Sequence, residues 1–233
     1  MTGQIYAENL RIGYSANSVL AQISNFNVES GDIVSIVGKS GIGKTTFLKT
    51  IANLVEPVGG KLTVFGKSPE RIRGRIGYIP QKLGLLKHDT VYGNVLQGAI
   101  CHESIWRSTL GFHEPKVIDR VNETIEIMNL KDKIHEPVKR LSGGQQRRVA
   151  IARTIAQNPK IILADEFLSE LDDETANDVW TLMLDYVKSN SITLLIVEHN
   201  LDRASQAERR FKMTNSAESS FIFHRVKLNS KIL

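Results

Sequence analysis

Four short apolar runs recur along the chain, and each predicts a strand that is buried on both faces. They cover Ile33 to Val37, Ile76 to Ile79, Ile161 to Ala164 and Ile192 to Val197. Continuous apolar character over a few residues, with helical segments between, is typical of a parallel sheet. Before the first run, Gln4 to Asp32 mixes short alternating pieces with turn residues such as Gly13, which predicts a small antiparallel sheet. The sequence therefore predicts an α/β fold with a mostly parallel sheet and an N-terminal antiparallel β subdomain.

Helical periodicity fills the intervals between the runs. Lys44 to Leu54 predicts one helix, with Phe47 and Leu54 on the same apolar face. Pro115 begins another helix, whose apolar residues keep helical spacing as far as Met128. Helices and buried strands therefore alternate along most of the chain.

The long interval between the second and third runs predicts an inserted subdomain. It is too long for a simple crossover between neighbouring strands, so we expect a helical subdomain at about residues 82–158. A chain of 233 residues with 41% hydrophobic content suits one folding unit. We therefore expect a single domain, 1–233, whose core takes up about 1–81 and 159–233.

Charge and cysteine content restrict the setting in which the chain works. The net charge of +5 is spread over distant segments, which favours a solvated basic surface over a nucleic-acid partner. Cys101 is the only cysteine, so an internal disulfide is excluded and a cytoplasmic location is favoured. No apolar stretch approaches the roughly 20 residues that span a bilayer, and the N-terminus does not resemble a signal peptide. At a membrane, the chain would need another protein as its anchor.

Each apolar run is followed by a glycine or a polar residue. The residues at these four positions are Gly38, Gln81, the pair Asp165 and Glu166, and His199. In open α/β sheets, ligands bind beyond the carboxyl ends of the strands. The pattern therefore predicts a single nucleotide pocket at that edge of the sheet.

The segment after the first run has the P-loop pattern in the context that supports it, after a strand and before a helix. Its glycines let backbone N–H groups surround phosphates, and the start of the helix favours negative charge. Lys44 is predicted to contact the β- and γ-phosphates, and the Thr45 hydroxyl to bind Mg²⁺. The predicted phosphate-binding residues are Gly38, Lys39, Ser40, Gly41, Ile42, Gly43, Lys44, Thr45 and Thr46.

Two carboxylates follow the third run and suit metal binding and general-base catalysis. Asp165 is predicted to bind Mg²⁺, and Glu166 to polarise the water that attacks the γ-phosphate. An acidic pair after an apolar strand is common by itself. Its position after a P-loop makes the catalytic interpretation strong.

The segment Leu141-Ser142-Gly143-Gly144-Gln145 identifies the family. Ser142 and Gln145 have the spacing of a capping box, so a helix should begin here and provide a second anion site. The segment is similar to the signature sequence of ABC ATPases, and the following Gln146 to Arg153 also resembles them. The resemblance extends from Tyr14 to His199. An ordinary capped helix is the alternative, but it would leave the two glycines unexplained.

The resemblance implies roles for further residues. In ABC ATPases two chains dimerise head to tail, and each ATP lies between the P-loop of one chain and the signature of the other, here Ser142 to Gln145. Gln81 matches the glutamine that reaches Mg²⁺ and the attacking water, and His199 matches the histidine that contacts the γ-phosphate. Asp172 matches the loop that crosses the dimer interface, and it also suits a helix cap. Tyr14 matches the aromatic residue that stacks on adenine, although a packing role on a strand edge is the alternative.

The chain departs from the family pattern just after Glu166. Phe167-Leu168 replaces the usual proline and small residue, and Glu170 stands where alanine is commoner. These changes leave the named carboxylates in place. We expect ATP hydrolysis to persist, with altered geometry in the loop that crosses the dimer interface.

The resemblance implies an ATPase that drives transport from the cytoplasmic face of the cell membrane, as a peripheral subunit. It uses ATP and Mg²⁺, and its expected partners are a second identical chain, two transmembrane permease subunits and an extracytoplasmic substrate-binding protein. No nucleic acid is expected. Leu83 to Gln97, Trp106-Arg107 and Ile162 to Glu166 look like the phosphonate-importer branch, so import of a phosphonate or a similar small solute is expected. Related segments also occur in ATPases that serve phosphate, amino acids, metals and lipoprotein export.

Other functions remain open alternatives at this point. An ABC exporter ATPase would have the same motifs. A soluble ABC ATPase of DNA repair would usually separate the P-loop and signature by a long coiled coil, and a translation factor would usually have two cassettes. A kinase or GTPase outside the family is opposed by the signature and by the lack of an Asn-Lys-x-Asp segment.

Overall fold

The structure is a computed structural model that describes residues 4–15, 18–72, 74–103, 113–198, 200–214 and 220–222. Its strands are β1 (Ile5–Ser15), β2 (Ser18–Val28), β3 (Ile33–Val37), β4 (Gly59–Val64), β5 (Ile76–Ile79), β6 (Ile161–Asp165), β7 (Thr193–Val197), β8 (Arg209–Lys212) and β9 (Ser220–Ile222). Its α-helices are α1 (Lys44–Ile51), α2 (Val91–Ala99), α3 (Pro115–Ile127), α4 (Gly143–Ala156), α5 (Asp173–Ser189) and α6 (Leu201–Ser205). The chain forms two compact units, one of residues up to Ser68 and from Leu195 onward, the other from Pro69 to Leu194.

The first unit contains the predicted antiparallel sheet. Its three strands lie in the order β2-β1-β4, and Ile5 of β1 pairs with Val28 on one side and Val64 on the other. Gly13 was expected to be a turn residue, but it lies within β1 where the register with β2 shifts. A Cβ at Gly13 would overlap the Ser18 carbonyl, so the close approach of the two strands requires glycine.

Three phenylalanines form the centre of the first unit. Phe26 of β2 makes edge-to-face contacts with Phe47 of α1 and Phe211 of β8, at ring-centroid distances of 5.0 and 4.8 Å. All three rings are fully buried, and such pairs contribute about 1 kcal/mol each beyond their area burial. β8 pairs in parallel with β3. The cluster therefore fixes α1 against the sheet, and with it the loop between β3 and α1.

The helix at Lys44 is shorter than predicted. It ends at Ile51, and Leu54 is 60% exposed. Asn53 adopts the left-handed backbone conformation that commonly follows a helix, so the chain turns away before Leu54 can reach the apolar face.

Within its described residues, the second unit combines parallel strands with four α-helices. β5 and β6 pair in parallel, and every residue of β6 is buried. α4 packs against α2, α3, α5 and β5, so it lies at the centre of this unit. Trp180 of α5 is buried, as expected of a core residue. Among the described residues, no helix is long and apolar enough to cross a membrane.

The predicted fold class is confirmed. The four apolar runs form β3, β5, β6 and β7, the strand pairs β3–β8 and β5–β6 are parallel, and the N-terminal sheet is antiparallel. The predicted boundaries between the core and the helical subdomain, near residues 81 and 159 of a single domain, stay a prediction.

Candidate functional site

The P-loop joins β3 to α1 and folds around its own lysine. Lys44 is only 5% exposed, and its ammonium group donates hydrogen bonds to the carbonyls of Gly38 at 2.9 Å and Lys39 at 3.1 Å. Gly41 and Gly43 have φ angles of 77° and 102°, a backbone conformation that favours glycine. The loop therefore encloses a buried positive charge at the beginning of a helix.

The start of α1 is suited to an anion. Gly43 is the N-cap residue and has no side chain with which to accept hydrogen bonds from the first turn. The N–H groups there point along the helix axis, where the helix dipole favours negative charge. Of the other predicted phosphate ligands, Ile42 and Thr46 are buried, Thr45 is half-buried, and Lys39 and Ser40 are exposed.

In the second unit, Asp165 ends β6 with a buried carboxylate. It is 2% exposed and accepts a hydrogen bond from the Tyr78 hydroxyl of β5 at 3.3 Å. Burial, followed by the charge of Asp165, raises the pKa of Tyr78 above its ordinary range, so the phenol keeps its proton and remains a donor. Sequence reasoning did not identify Tyr78 as a residue of the site. Its position in the strand beside an acidic strand end was the available signal.

Glu166 and Gln81 lie together at the ends of their strands. The Gln81 Nε2 atom donates to Glu166 Oε2 at 3.3 Å, and both side chains are accessible to solvent. Glu166 has a φ of 44°, which is uncommon for a residue other than glycine. The Gln81 amide can therefore orient the Glu166 carboxylate.

The loop beyond Gln81 is fixed by an arginine of α4. Arg153 donates hydrogen bonds to the carbonyls of Leu83 at 2.6 Å and Gly84 at 2.8 Å. Burial lowers the pKa of this guanidinium. The helix that begins at the signature therefore also supports the loop that follows Gln81, a contact that sequence reasoning missed.

The signature segment forms the predicted capping box. The Gln145 N–H group donates to Ser142 Oγ at 3.3 Å, and the Ser142 N–H group donates to Gln145 Oε1 at 3.0 Å. Both glycines pack closely against the beginning of α5 and the residues just before it. A Cβ at Gly143 would lie 3.1 Å from Leu171 Cδ2, and one at Gly144 would overlap the Thr175 methyl group. The two glycines therefore have a packing role within the chain.

Three further predicted site residues are Asp172, Tyr14 and His199. Asp172 caps α5, accepting a hydrogen bond from the Thr175 N–H group at 2.9 Å, and this bond lowers the pKa of the carboxyl. Tyr14 is 77% exposed, and both its predicted role as an adenine platform and the packing alternative stay predictions. His199, like Trp106 and Arg107 of the importer-like segments, lies outside the described residues.

The fold and the site define a class. Parallel strands end in a P-loop in one unit and in an acidic pair beside a glutamine in the other. This is the arrangement of an α/β P-loop NTPase. The capping box with two closely packed glycines is a further feature of the second unit.

Comparisons with known proteins agree with this class. Residues 21–169 match a protein family described as ABC transporter. Phosphonates import ATP-binding protein PhnC 3 of Halalkalibacterium halodurans is 33% identical over 205 residues, covering 84% of this chain and 80% of that protein. Methionine import ATP-binding protein MetN of Clostridium acetobutylicum is 36% identical over 206 residues, covering 85% of this chain and 62% of that protein.

Solved structures give the same result. A nucleotide-free ATP-binding cassette from an ABC transporter matches with a TM-score of 0.78 and 26% identity, covering 94% of this chain and 89% of that chain. An ATP-binding cassette in a dimeric post-hydrolysis state with ADP and Pi matches with a TM-score of 0.77 and 26% identity, covering 91% and 94%. The chain belongs to the ABC transporter family. It is an ATP-binding ATPase of that family.

Proposed function

We propose that this chain is the ATPase subunit of an ABC importer for a small solute, with phosphonates as the first candidate class. The main support is its similarity to import ATP-binding proteins over most of their length, seven of them named for phosphonates. A methionine import protein is equally similar, so the cargo class rests on the number of phosphonate relatives. The exporter, DNA-repair and translation alternatives receive no support from these relatives.

The residues of the site suit distinct steps of ATP hydrolysis. The P-loop N–H groups and Lys44 hold the phosphates, and Glu166 accepts a proton from the attacking water. Gln81 orients the Glu166 carboxylate through its amide. By analogy with the family, we propose that Ser142 to Gln145 contact the ATP of a partner chain. We also propose that Asp172 lies at the dimer interface and that His199 contacts the γ-phosphate. Tyr14 keeps its proposed role as an adenine platform, since its ring is exposed.

The oxygen ligands of this chain suit Mg²⁺ bound together with ATP. The described residues contain no group of three or more His, Cys, Asp or Glu side chains that could hold a metal ion. Mg²⁺ usually binds through one or two carboxylates plus substrate phosphates. Asp165, Gln81 and Thr45 supply oxygens of the required kind, and the Tyr78 hydroxyl holds the Asp165 carboxylate in place. When bound, the ion neutralises charge that develops on the phosphates.

The proposed assembly contains other proteins. A second copy of this chain completes each ATP site, and two membrane-embedded permease subunits hold the dimer peripherally at the cytoplasmic face. An extracytoplasmic binding protein delivers the solute. These partners are proposed from the family, and a nucleic acid is not among them.

Replacing Glu166 by glutamine tests this function. Glu166→Gln keeps the shape of the side chain and removes the base, so we expect the turnover rate of ATP to fall roughly 100- to 10,000-fold. ATP binding should persist, and size-exclusion chromatography with ATP should show a dimer that does not dissociate. Glu126→Gln on α3 is the control, because Glu126 is exposed and pairs only with Lys131 among the described contacts. Parental turnover by Glu166→Gln would refute the proposal.

A further inference from the structure

Arg147 is a buried charge one turn into the signature helix. It is only 9% exposed, whereas arginine is rarely buried unless it is paired. Burial lowers the pKa of its guanidinium, and the nearby Glu170 carboxylate opposes that shift. A cation is kept in such surroundings only where hydrogen bonds compensate for lost solvation.

The guanidinium contacts the loop that follows the proposed general base. Arg147 Nη2 donates a hydrogen bond to the Ser169 carbonyl at 2.8 Å, and it lies 3.6 Å from Glu170 Oε2. In turn the Ser169 N–H group donates to the Glu166 carbonyl at 3.0 Å. A hydrogen bond from the Arg147 side chain to the Ser169 backbone and one from the Ser169 backbone to the Glu166 backbone therefore connect Arg147 to Glu166.

The loop has a backbone conformation that its residues do not favour. Glu166 and Glu170 have φ angles of 44° and 71°, and neither is glycine. Such conformations persist where surrounding contacts impose them. Phe167 and Leu168 supply one contact, since both are buried, and Arg147 supplies the other near the end of the loop. The aromatic and aliphatic residues that depart from the family pattern thus anchor this loop in the core.

We propose that Arg147 is a positioning residue for Glu166: through the Ser169 carbonyl it holds the loop of residues 166–170 in the backbone conformation that keeps Glu166 beside Gln81. The inference rests on the proposed function of Glu166. Because α4 begins with the signature, the same contact fastens the loop of the base to the segment that serves the partner's ATP.

The two partners of Arg147 differ in importance. Glu170 is 87% exposed, so water and salt screen its attraction to the guanidinium. The hydrogen bond to the Ser169 carbonyl is charge-assisted and shielded, which makes it the stronger contact. Removal of the Arg147 guanidinium should therefore lower kcat much more than removal of the Glu170 charge.

Steady-state kinetics of the full-length chain test the proposal. For Arg147→Gln we expect kcat for ATP hydrolysis to fall roughly 10- to 100-fold, the usual effect of a displaced catalytic group. The KM for ATP should stay unchanged, since the nucleotide is held by the P-loop. Arg147→Lys should give an intermediate kcat, because an ammonium restores one donor without the planar fork. Glu170→Gln should stay within about twofold of the parent.

Arg120→Gln is the matched control. Like Arg147, Arg120 donates to a backbone carbonyl, but its acceptor is Ala156 at 3.4 Å, at the far end of α4. It should keep the parental kcat. If Arg147→Gln does not fold, Arg147→Lys replaces it, and a lowered kcat at unchanged KM is again the expected result.

The outcomes separate this proposal from the proposed function. Parental kcat in both Arg147 variants, together with an inactive Glu166→Gln, overturns the positioning role alone. A rise in KM without a fall in kcat in these variants also overturns it, because the loop would then act in binding. Parental turnover by Glu166→Gln overturns the function on which it rests.

Discussion

At the scale of single residues, Tyr78 shows how a neutral group supports a charged one. Its hydroxyl donates to the buried Asp165 carboxylate at 3.3 Å, which compensates in part for the solvation that Asp165 loses. The raised pKa of Tyr78 follows from burial first and from the Asp165 charge second. A phenol that keeps its proton can hold this carboxylate in place across the physiological pH range.

Tyr78→Phe removes this donor and should lower the free energy of unfolding by about 1 to 2 kcal/mol at neutral pH, as measured by urea denaturation. The difference should shrink as the pH rises above about 10, the ordinary pKa of tyrosine. In the parent the folded pKa is raised, so above that pH the unfolded state binds fewer protons than the folded state and stability falls. If the difference in unfolding free energy between the parent and Tyr78→Phe grew with pH, the assignment of Tyr78 as a hydrogen-bond donor to Asp165 would be contradicted.

At the scale of elements, two glycines set the distance between α4 and the beginning of α5. A Cβ at Gly144 would overlap the methyl group of Thr175, whereas one at Gly143 would meet only the end of the flexible Leu171 side chain. Gly144→Ala should therefore destabilise the chain by roughly 1 to 3 kcal/mol, and Gly143→Ala by less. Thermal unfolding measures both.

A second substitution can isolate that overlap. Thr175→Ser deletes the methyl group that an alanine at 144 would meet. The double variant Gly144→Ala, Thr175→Ser should recover most of the lost stability, because the obstacle is gone and alanine favours a helix over glycine. If the double variant is as unstable as Gly144→Ala alone, steric overlap is not the cause.

Elements with a local signal were predictable, and contacts between distant segments were not. The strand at Ile161 to Ala164 could be predicted because its signal, a continuous apolar run, lies within a few residues. The capping box could be predicted for the same reason, since Ser142 and Gln145 are three residues apart. The Tyr78–Asp165 and Arg147–Ser169 bonds join residues far apart in sequence, and nothing local indicates them. Leu54 was wrongly placed on a helix face because periodicity cannot show where the backbone turns.

At the scale of the whole molecule, the proposed dimer predicts that two defective chains can restore each other. Lys44→Ala removes the buried ammonium that the P-loop encloses, so that chain should not bind ATP. Ser142→Asp keeps a side chain that can cap α4 but adds a negative charge where we propose a phosphate to lie. Each variant alone should be nearly inactive.

A mixture should regain activity if each site is built from two chains. In a mixed dimer, the intact P-loop of the Ser142→Asp chain meets the intact signature of the Lys44→Ala chain, which completes one of two sites. Random pairing in an equal mixture makes half of the dimers mixed, so about a quarter of the parental ATPase rate is expected where the sites act independently. If each chain instead contained a complete site, mixing would restore nothing, and the role of Ser142 to Gln145 in binding a partner's ATP would be refuted.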